Sequence, residues 1–133
     1  MAAMVHESVV RAAVEARERA YARYSKFQVG AAILAADGRI FTGCNVENAS
    51  YGLTICAERA AVFAAVGAGQ QRFELLAIAT AGGVTPCGAC RQVLAEFSLD
   101  LPILLIDVNQ QGSIIEVNLR DLLPGVFRLN PES

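Results

Sequence analysis

The stretch "FQVGAAILAADGRIFTGCNVE", residues 27–47, contains two largely apolar segments separated by Asp37 and Gly38. The first segment, residues 27–36, is rich in small and branched apolar side chains and predicts a β-strand. Asp-Gly is a strong signal for a two-residue turn whose twist matches that of the strands on either side. The second segment, residues 39–47, is therefore predicted to return beside the first as an antiparallel strand.

Around this hairpin the sequence predicts elements in the order α-β-β-α-β-α-β-β. The predicted helices cover residues 6–24, 56–66 and 88–97 with a short helix or turn at 119–124, and the later strands cover 73–80, 102–107 and 113–118. A hairpin followed by strands that alternate with helices indicates a mixed sheet covered by helices. We therefore predict an α/β fold, a three-layer α-β-α sandwich with a mixed, mostly five-stranded sheet, in a single domain over residues 1–133.

The composition excludes several classes of protein. The 133 residues suit one domain, and 54% apolar with 18% charged residues is far from the composition of a disordered chain. The mean hydropathy of +0.40 is high, which indicates a tight α/β core together with some apolar surface buried between subunits. The 11 basic residues are scattered among 13 acidic ones, so nucleic-acid binding through phosphates is not expected. No apolar run suits a membrane span and no signal peptide is visible, so we expect a cytoplasmic protein.

Three cysteines are candidate metal ligands. Cys56 begins one predicted helix, Cys87 begins the next, and Cys90 lies on the same helical face as Cys87. Thiolates are favoured at helix N-termini, where the backbone N–H groups are exposed, and three thiolates suit zinc. A structural zinc site fills its fourth position with protein, whereas a catalytic site leaves that position to water.

Charged residues lie beside these candidate ligands. Glu58 follows Cys56 by two residues and is either a proton shuttle or a carboxylate that complements the helix dipole. Zinc with three thiolates carries one net negative charge, which opposes the acidification of water. Our hypothesis is that Arg59 and Arg91 offset this charge through hydrogen bonds to the thiolates. The alternative is that both are ordinary surface arginines of their helices.

Two other interpretations of the cysteines remain open from spacing alone. Cys87-x-x-Cys90 could be a redox pair of the thioredoxin kind, although that leaves Cys56 unexplained. The three cysteines could also form a closed structural zinc site if Cys44 or His6 supplied a fourth ligand. In either case the chain would be a non-catalytic zinc module or a redox module rather than a hydrolytic enzyme.

The segments "TICAERAA" (54–61) and "PCGACRQ" (86–92) resemble the zinc-dependent cytidine deaminases in their small form with three cysteine ligands. The segments "YSKFQVGAA" (24–32), "GCNVENASYG" (43–52) and "LLPGVF" (122–127) resemble the same family. The resemblance thus covers nearly the whole chain in order. One departure is that many relatives have histidine at the position of Cys56.

The resemblance implies a role for each matching residue. Cys56, Cys87 and Cys90 would bind Zn²⁺, and Glu58 would carry protons. Other residues would bind the substrate: Asn45 and Glu47 the ribose hydroxyls, Phe27 the pyrimidine, Val46 and Ala57 the same pocket, and Tyr51 and Phe127 the pocket of a neighbouring subunit. The implied assembly is a homotetramer with shared active sites.

The implied activity is hydrolytic deamination of cytidine and 2′-deoxycytidine to the uridine products and ammonia, a reaction of pyrimidine salvage. In this scheme Glu58 takes a proton from the attacking water and passes protons to the ring N3 and to the departing amine. An alternative substrate is another aminopyrimidine nucleoside, such as an antibiotic of the blasticidin type. The ribose-binding pattern at Asn45 and Glu47 favours an ordinary nucleoside.

Overall fold

The computed structural model describes residues 2–129, which form a five-stranded sheet and the helices that cover it. The helices are α1 (Ala2–Arg17), α2 (Ala57–Gly67), α3 (Gly88–Phe97), α4 (Leu119–Leu122) and a 3-10 turn at Tyr51–Leu53, and the strands are β1 (Gly30–Ala35), β2 (Ile40–Cys44), β3 (Phe73–Thr80), β4 (Pro102–Asp107) and β5 (Ser113–Asn118). The strand order is β2-β1-β3-β4-β5, with β3 and β4 parallel and the other pairs antiparallel. The predicted α/β fold with a mixed sheet is confirmed.

Alternating side chains of the central strands build one apolar core on each face of the sheet. One core, which lies under α2 and α3, contains Ile33, Leu76, Ile78, Ile103, Val62 and Leu94. The opposite core, which lies under α1, contains Leu34, Leu75, Ala77, Leu104, Val9 and Ala13. Helices therefore cover both faces, as the three-layer prediction requires.

The parallel pair β3–β4 determines where α3 begins. A parallel neighbour requires a crossover connection, and α3 supplies it between β3 and β4. The chain enters α3 from the carboxyl end of β3, near Thr80. Gly30, the first residue of β1, pairs with Ala79 at this same end of the sheet. This end is where the candidate ligands at the start of α3 are expected to lie.

The prediction of a single domain over residues 1–133 remains a prediction, and Met1 and residues 130–133 lie outside the described residues. Within residues 2–129, no helix is both long enough and apolar enough to cross a membrane.

The first helix differs from its prediction because a non-local contact ends it early. The predicted helix covers residues 6–24, but α1 ends at Arg17. Beyond it, the N–H of Tyr21 donates to the carbonyl of Asn45 at 2.9 Å, and the carbonyl of Tyr21 accepts from the N–H of Glu47 at 2.9 Å. Because these backbone groups bond to residues that follow β2, the helix cannot continue through Tyr21. The helical spacing of apolar side chains nevertheless continues to Tyr24 in the sequence.

The strand β1 also begins later than predicted. Residues 27–29 have a sequence typical of a strand, but the side chain of Asn45 forms hydrogen bonds with two of their backbone groups. Its Nδ2 donates to the carbonyl of Phe27 at 2.8 Å, and its Oδ1 accepts from the N–H of Val29 at 2.9 Å. The amide side chain of Asn45 thus replaces backbone hydrogen bonds between strands here, and regular strand pairing starts at Gly30.

Gly43 on β2 allows α2 to pack directly against the sheet. A Cβ at this position would overlap the carbonyl oxygen of Ala57 and the backbone nitrogen of Ala61. Because Ala57 lies between the candidate ligand Cys56 and Glu58, this close approach determines how near to the sheet both side chains lie.

We expect Gly43→Ala to lower the free energy of unfolding by about 1–3 kcal/mol, because the added methyl group must displace helix backbone. Urea denaturation of the purified variant measures this loss. The matched control is Gly67→Ala in the last turn of α2, where an added Cβ meets nothing within 4 Å. That variant should keep or gain up to about 1 kcal/mol, since alanine favours helix. Equal stability of the two variants would contradict the close-approach interpretation.

Candidate metal centre and adjoining cavity

Three cysteine side chains converge where α2 and α3 begin. Cys56 is the N-cap of α2 and Cys87 the N-cap of α3, while Cys90 lies in the first turn of α3. The Sγ atoms of Cys56 and Cys87 are 3.9 Å apart, those of Cys87 and Cys90 are 3.5 Å apart, and all three lie within 4.8 Å of one another. The predicted convergence of two helix N-termini is therefore present in the structure.

The separations of the sulfur atoms fit zinc. Zn–S bonds of about 2.3 Å in a tetrahedron place the sulfur atoms about 3.8 Å apart. The observed 3.5 and 3.9 Å lie on either side of this value, and far above the S–S bond of about 2.05 Å in a disulfide. Among the side chains that the structure describes, Cys44 and His6 do not join the cluster. Within the described part of the chain, the donor set is thus three thiols without a fourth protein ligand, which does not support the closed structural site.

The three cysteines differ in exposure. Cys90 is fully buried, Cys56 is half-buried and Cys87 is exposed. Cys56 and Cys87 line a cavity of about 290 Å³. A metal held by these sulfur atoms would therefore face the cavity, as a catalytic rather than a structural metal does.

The hydrogen bonds of the cluster favour a thiolate at Cys56. Its pKa is lowered to about 5, chiefly by the neighbouring thiol of Cys90 and then by Arg59 and Cys87. The pKa of Cys90 is raised, chiefly by the neighbouring Cys56 and then by burial. The thiolate form is therefore favoured at Cys56 rather than at Cys90.

Arg59 and Arg91 have different hydrogen-bond partners, although the sequence-based hypothesis gave both the same role. The Nη2 of Arg59 donates to the Sγ of Cys56 at 3.4 Å, as we hypothesised. Arg91 instead donates to three oxygen atoms: the carbonyl of Pro86 at 2.7 Å, the carbonyl of Leu122 at 2.8 Å and the hydroxyl of Thr85 at 3.0 Å. In this structure Arg91 thus ties the loop before Cys87 to the end of α4, rather than bonding a thiolate.

Glu58 is buried in the wall of the cavity beside the candidate metal ligands. Only 5% of its surface is exposed, and its pKa is raised, chiefly because burial disfavours the charged carboxylate and next because Cys56 is nearby. The carboxyl group therefore holds its proton to a higher pH than an exposed glutamate does. A group with these properties can accept a proton and return it.

The cavity brings together most of the predicted substrate-binding residues. Phe27, Asn45, Glu47 and Ala57 all line it, together with Glu58. Sequence reasoning missed further lining residues, namely Ser25, Val29, Thr54, Ile78, Thr80, Val84 and Thr85. Of these, Ser25, Val29 and Thr54 fall within the segments 24–32 and 54–61 that carry the resemblance, which was the only signal for them. The other four lie in β3 and in the loop that follows it, and no local pattern in the sequence connects them.

Three predicted substrate-binding residues do not line this cavity. Val46 uses its backbone to pair with Ile55, and the residue is half exposed. Tyr51 lines a second cavity, which shares Glu47 with the first. Phe127 is 69% exposed. The exposure of Tyr51 and Phe127 is compatible with contacts to another subunit, and their roles remain predictions.

The comparisons with known proteins agree with this geometry. Residues 4–104 match the family model of the cytidine and deoxycytidylate deaminase zinc-binding region. A cytidine deaminase of Sporosarcina psychrophila is 51% identical over 91% of this chain and 90% of its own length. A cytidine deaminase of Halalkalibacterium halodurans is 48% identical over 93% and 95%.

A solved structure extends the similarity to three dimensions. The crystal structure of cytidine deaminase from Burkholderia pseudomallei superposes with a TM-score of 0.86 at 47% identity, over 92% of this chain and 98% of that one. The matched region of the family model includes Cys56, Glu58, Cys87 and Cys90. With three candidate zinc ligands clustered at the start of two helices and its sequence matched over most of its length, the chain belongs to the cytidine and deoxycytidylate deaminase family.

Proposed function

We propose that this chain catalyses the zinc-dependent hydrolysis of cytidine and 2′-deoxycytidine to uridine and 2′-deoxyuridine, with release of ammonia. The observation that carries the proposal is the buried Glu58 with its raised pKa, which lines the same cavity as the metal-binding sulfur atoms. The cytidine deaminases that match most of this chain support the choice of substrate.

Zinc held by Cys56, Cys87 and Cys90 would supply the Lewis acidity that makes water acidic enough to lose a proton near neutral pH. Glu58 is the base that receives this proton. Because burial raises its pKa, the carboxyl group can hold this proton and give it to N3 of the ring as water attacks C4. A second proton passes through Glu58 to the amine, which leaves as ammonia, so atoms and charge balance.

The remaining residues of the cavity would position the nucleoside. Phe27 offers an aromatic face for the pyrimidine, and Glu47 offers carboxylate oxygen atoms for the ribose hydroxyls. Asn45 already bonds the backbone of Phe27 and Val29, which leaves it one N–H for the sugar. The backbone of Ala57, which lies between Cys56 and Glu58 in the sequence, would contact the base.

The assembly is proposed as a homotetramer. Exposed apolar side chains on the edge strand β5, at Ile114 and Ile115, and the exposed Tyr51 and Phe127 support burial against other copies of the chain. The chain mass of 14.1 kDa makes a monomer and a tetramer easy to distinguish in solution. A cytoplasmic location, a role in pyrimidine salvage and a single catalytic domain over residues 1–133 are part of the same proposal.

We expect the purified chain to consume cytidine, followed by its ultraviolet absorbance, and to release ammonia in equal amount. Removal of the metal by a zinc chelator should abolish the reaction, and added Zn²⁺ should restore it. Incubation of blasticidin-type nucleosides under the same conditions tests the alternative substrate. If cytidine is not consumed at any enzyme concentration, the proposed function is contradicted.

Glu58→Ala should fold, bind zinc and lose turnover by about 10²–10⁴-fold, because the proton carrier is removed while the ligands remain. Steady-state kinetics with cytidine and a colorimetric zinc determination measure the two properties together. Glu74→Ala, which changes an exposed glutamate on β3, is the matched control and should behave as wild type. Near-normal turnover of Glu58→Ala would refute the assignment.

Arg59→Gln should lower kcat about tenfold or more while the zinc content stays close to one per chain. The physical reason is that the thiolate charge at Cys56 would no longer be offset by the guanidinium that bonds its Sγ at 3.4 Å. The control is Arg120→Gln, a change at an exposed arginine of α4. Unchanged kinetics in Arg59→Gln would show that this hydrogen bond does not tune the site.

A further inference from the structure

The hydroxyl of Ser25 connects two parts of the cavity wall that the proposed mechanism treats separately. It donates to the Oε2 of Glu47, and it accepts from the N–H of Phe27 at 3.0 Å. Ser25 itself lines the cavity between these two residues. One oxygen atom therefore contacts both the carboxylate proposed for the sugar and the backbone that carries the aromatic ring proposed for the base.

The carboxylate of Glu47 is held by three donors from one turn of the chain. Its Oε1 accepts from the N–H of Tyr24 at 2.9 Å and from the N–H of Ser25 at 3.1 Å, which uses both acceptor positions of that oxygen. Its Oε2 accepts only the Ser25 hydroxyl among the described hydrogen bonds, and so has one acceptor position left for a ligand. The pKa of Glu47 is lowered, chiefly by the hydroxyl of Ser25, so the carboxylate is charged.

The turn that supplies these donors is not a conformation that its sequence favours. Lys26 has a φ of 63°, in the left-handed region that non-glycine residues rarely adopt. Both neighbours of Lys26, Ser25 and Phe27, are held by hydrogen bonds. The hydroxyl of Ser25 donates to Glu47 and accepts from the N–H of Phe27. Such a backbone conformation persists only where surrounding contacts over-determine it.

We propose that Ser25 is a positioning residue for sugar recognition, whose hydroxyl orients the Oε2 of Glu47 so that its remaining acceptor position faces the ribose hydroxyls of the nucleoside. This inference rests on the proposed function, because it requires a nucleoside in the cavity. Ser25 need not touch the reacting atoms at C4, which lie with Glu58 and the metal ligands. Its contribution is therefore to binding, and it should appear in KM rather than in kcat.

Ser25→Ala, measured with two substrates, tests this inference. For cytidine we expect KM to rise about tenfold with kcat within about threefold of wild type, the size expected for loss of one hydrogen bond to a charged group. For 2′,3′-dideoxycytidine, which lacks the hydroxyls that Glu47 would accept, we expect kcat/KM to fall less than about threefold. Ser25→Thr retains the hydroxyl and should restore most of the cytidine KM.

A merely structural role gives a different pattern. If Ser25 only held the turn and thereby Phe27, both substrates would lose affinity equally, since both present the same pyrimidine. A double variant gives a second measurement, because Ser25→Ala should add less than about threefold to the cytidine KM in a Glu47→Ala background. Ser113→Ala on β5, away from the cavity, is the control for loss of a serine hydroxyl and should match wild type.

The outcomes separate this inference from the proposed function. A wild-type chain that does not deaminate cytidine overturns both. If the wild type is active, equal penalties for cytidine and 2′,3′-dideoxycytidine in Ser25→Ala overturn the role of Ser25 and leave the deaminase function in place. An unchanged cytidine KM in Ser25→Ala overturns it as well.

Discussion

Three sulfur atoms approach within 4.8 Å of one another from two helices, and this constraint requires a particular placement of α2 and α3 on the sheet. Cys56 and Cys87 are 31 residues apart, yet their Sγ atoms lie 3.9 Å apart. They can meet only if α2 and α3 begin at the same end of the sheet and on the same face. The parallel pairing of β3 with β4 places α3 there, and the close packing of α2 on Gly43 places α2 beside it.

Electrostatic conditions in the site depend on the same geometry. The thiol of Cys90, Arg59 and the N-terminus of α2 favour negative charge at Cys56, whereas burial of Glu58 near that charge favours its protonated form. One carboxyl group and one thiol, two residues apart in sequence, therefore have pKa values shifted in opposite directions. This separation suits hydrolysis, in which one group must bind a cation and the other must exchange protons.

Polar side chains maintain the part of the cavity that the sheet does not reach. The segment 24–29 has left the helix α1 and has not yet entered β1, so its backbone groups need other partners. Asn45 bonds Phe27 and Val29, and Glu47 bonds Tyr24 and Ser25. Residues that the resemblance assigns to substrate are thus also part of the structure that shapes the cavity.

The sequence by itself determined the elements whose signals are local. Apolar strands bounded by turns, and a helix that begins at "GACRQ", predicted β3, β4, β5 and α3 with the observed bounds, and the cysteine spacing with Glu58 predicted the ligand set that the structure brings together. Only the tertiary structure decided where α1 ends, because Tyr21 pairs with residues 45–47, and which oxygen atoms Arg91 bonds, because Leu122 is distant in sequence. Ser25 was missed for the same reason: its partner Glu47 is 22 residues away, and a hydrogen bond over that separation leaves no periodic pattern in the chain.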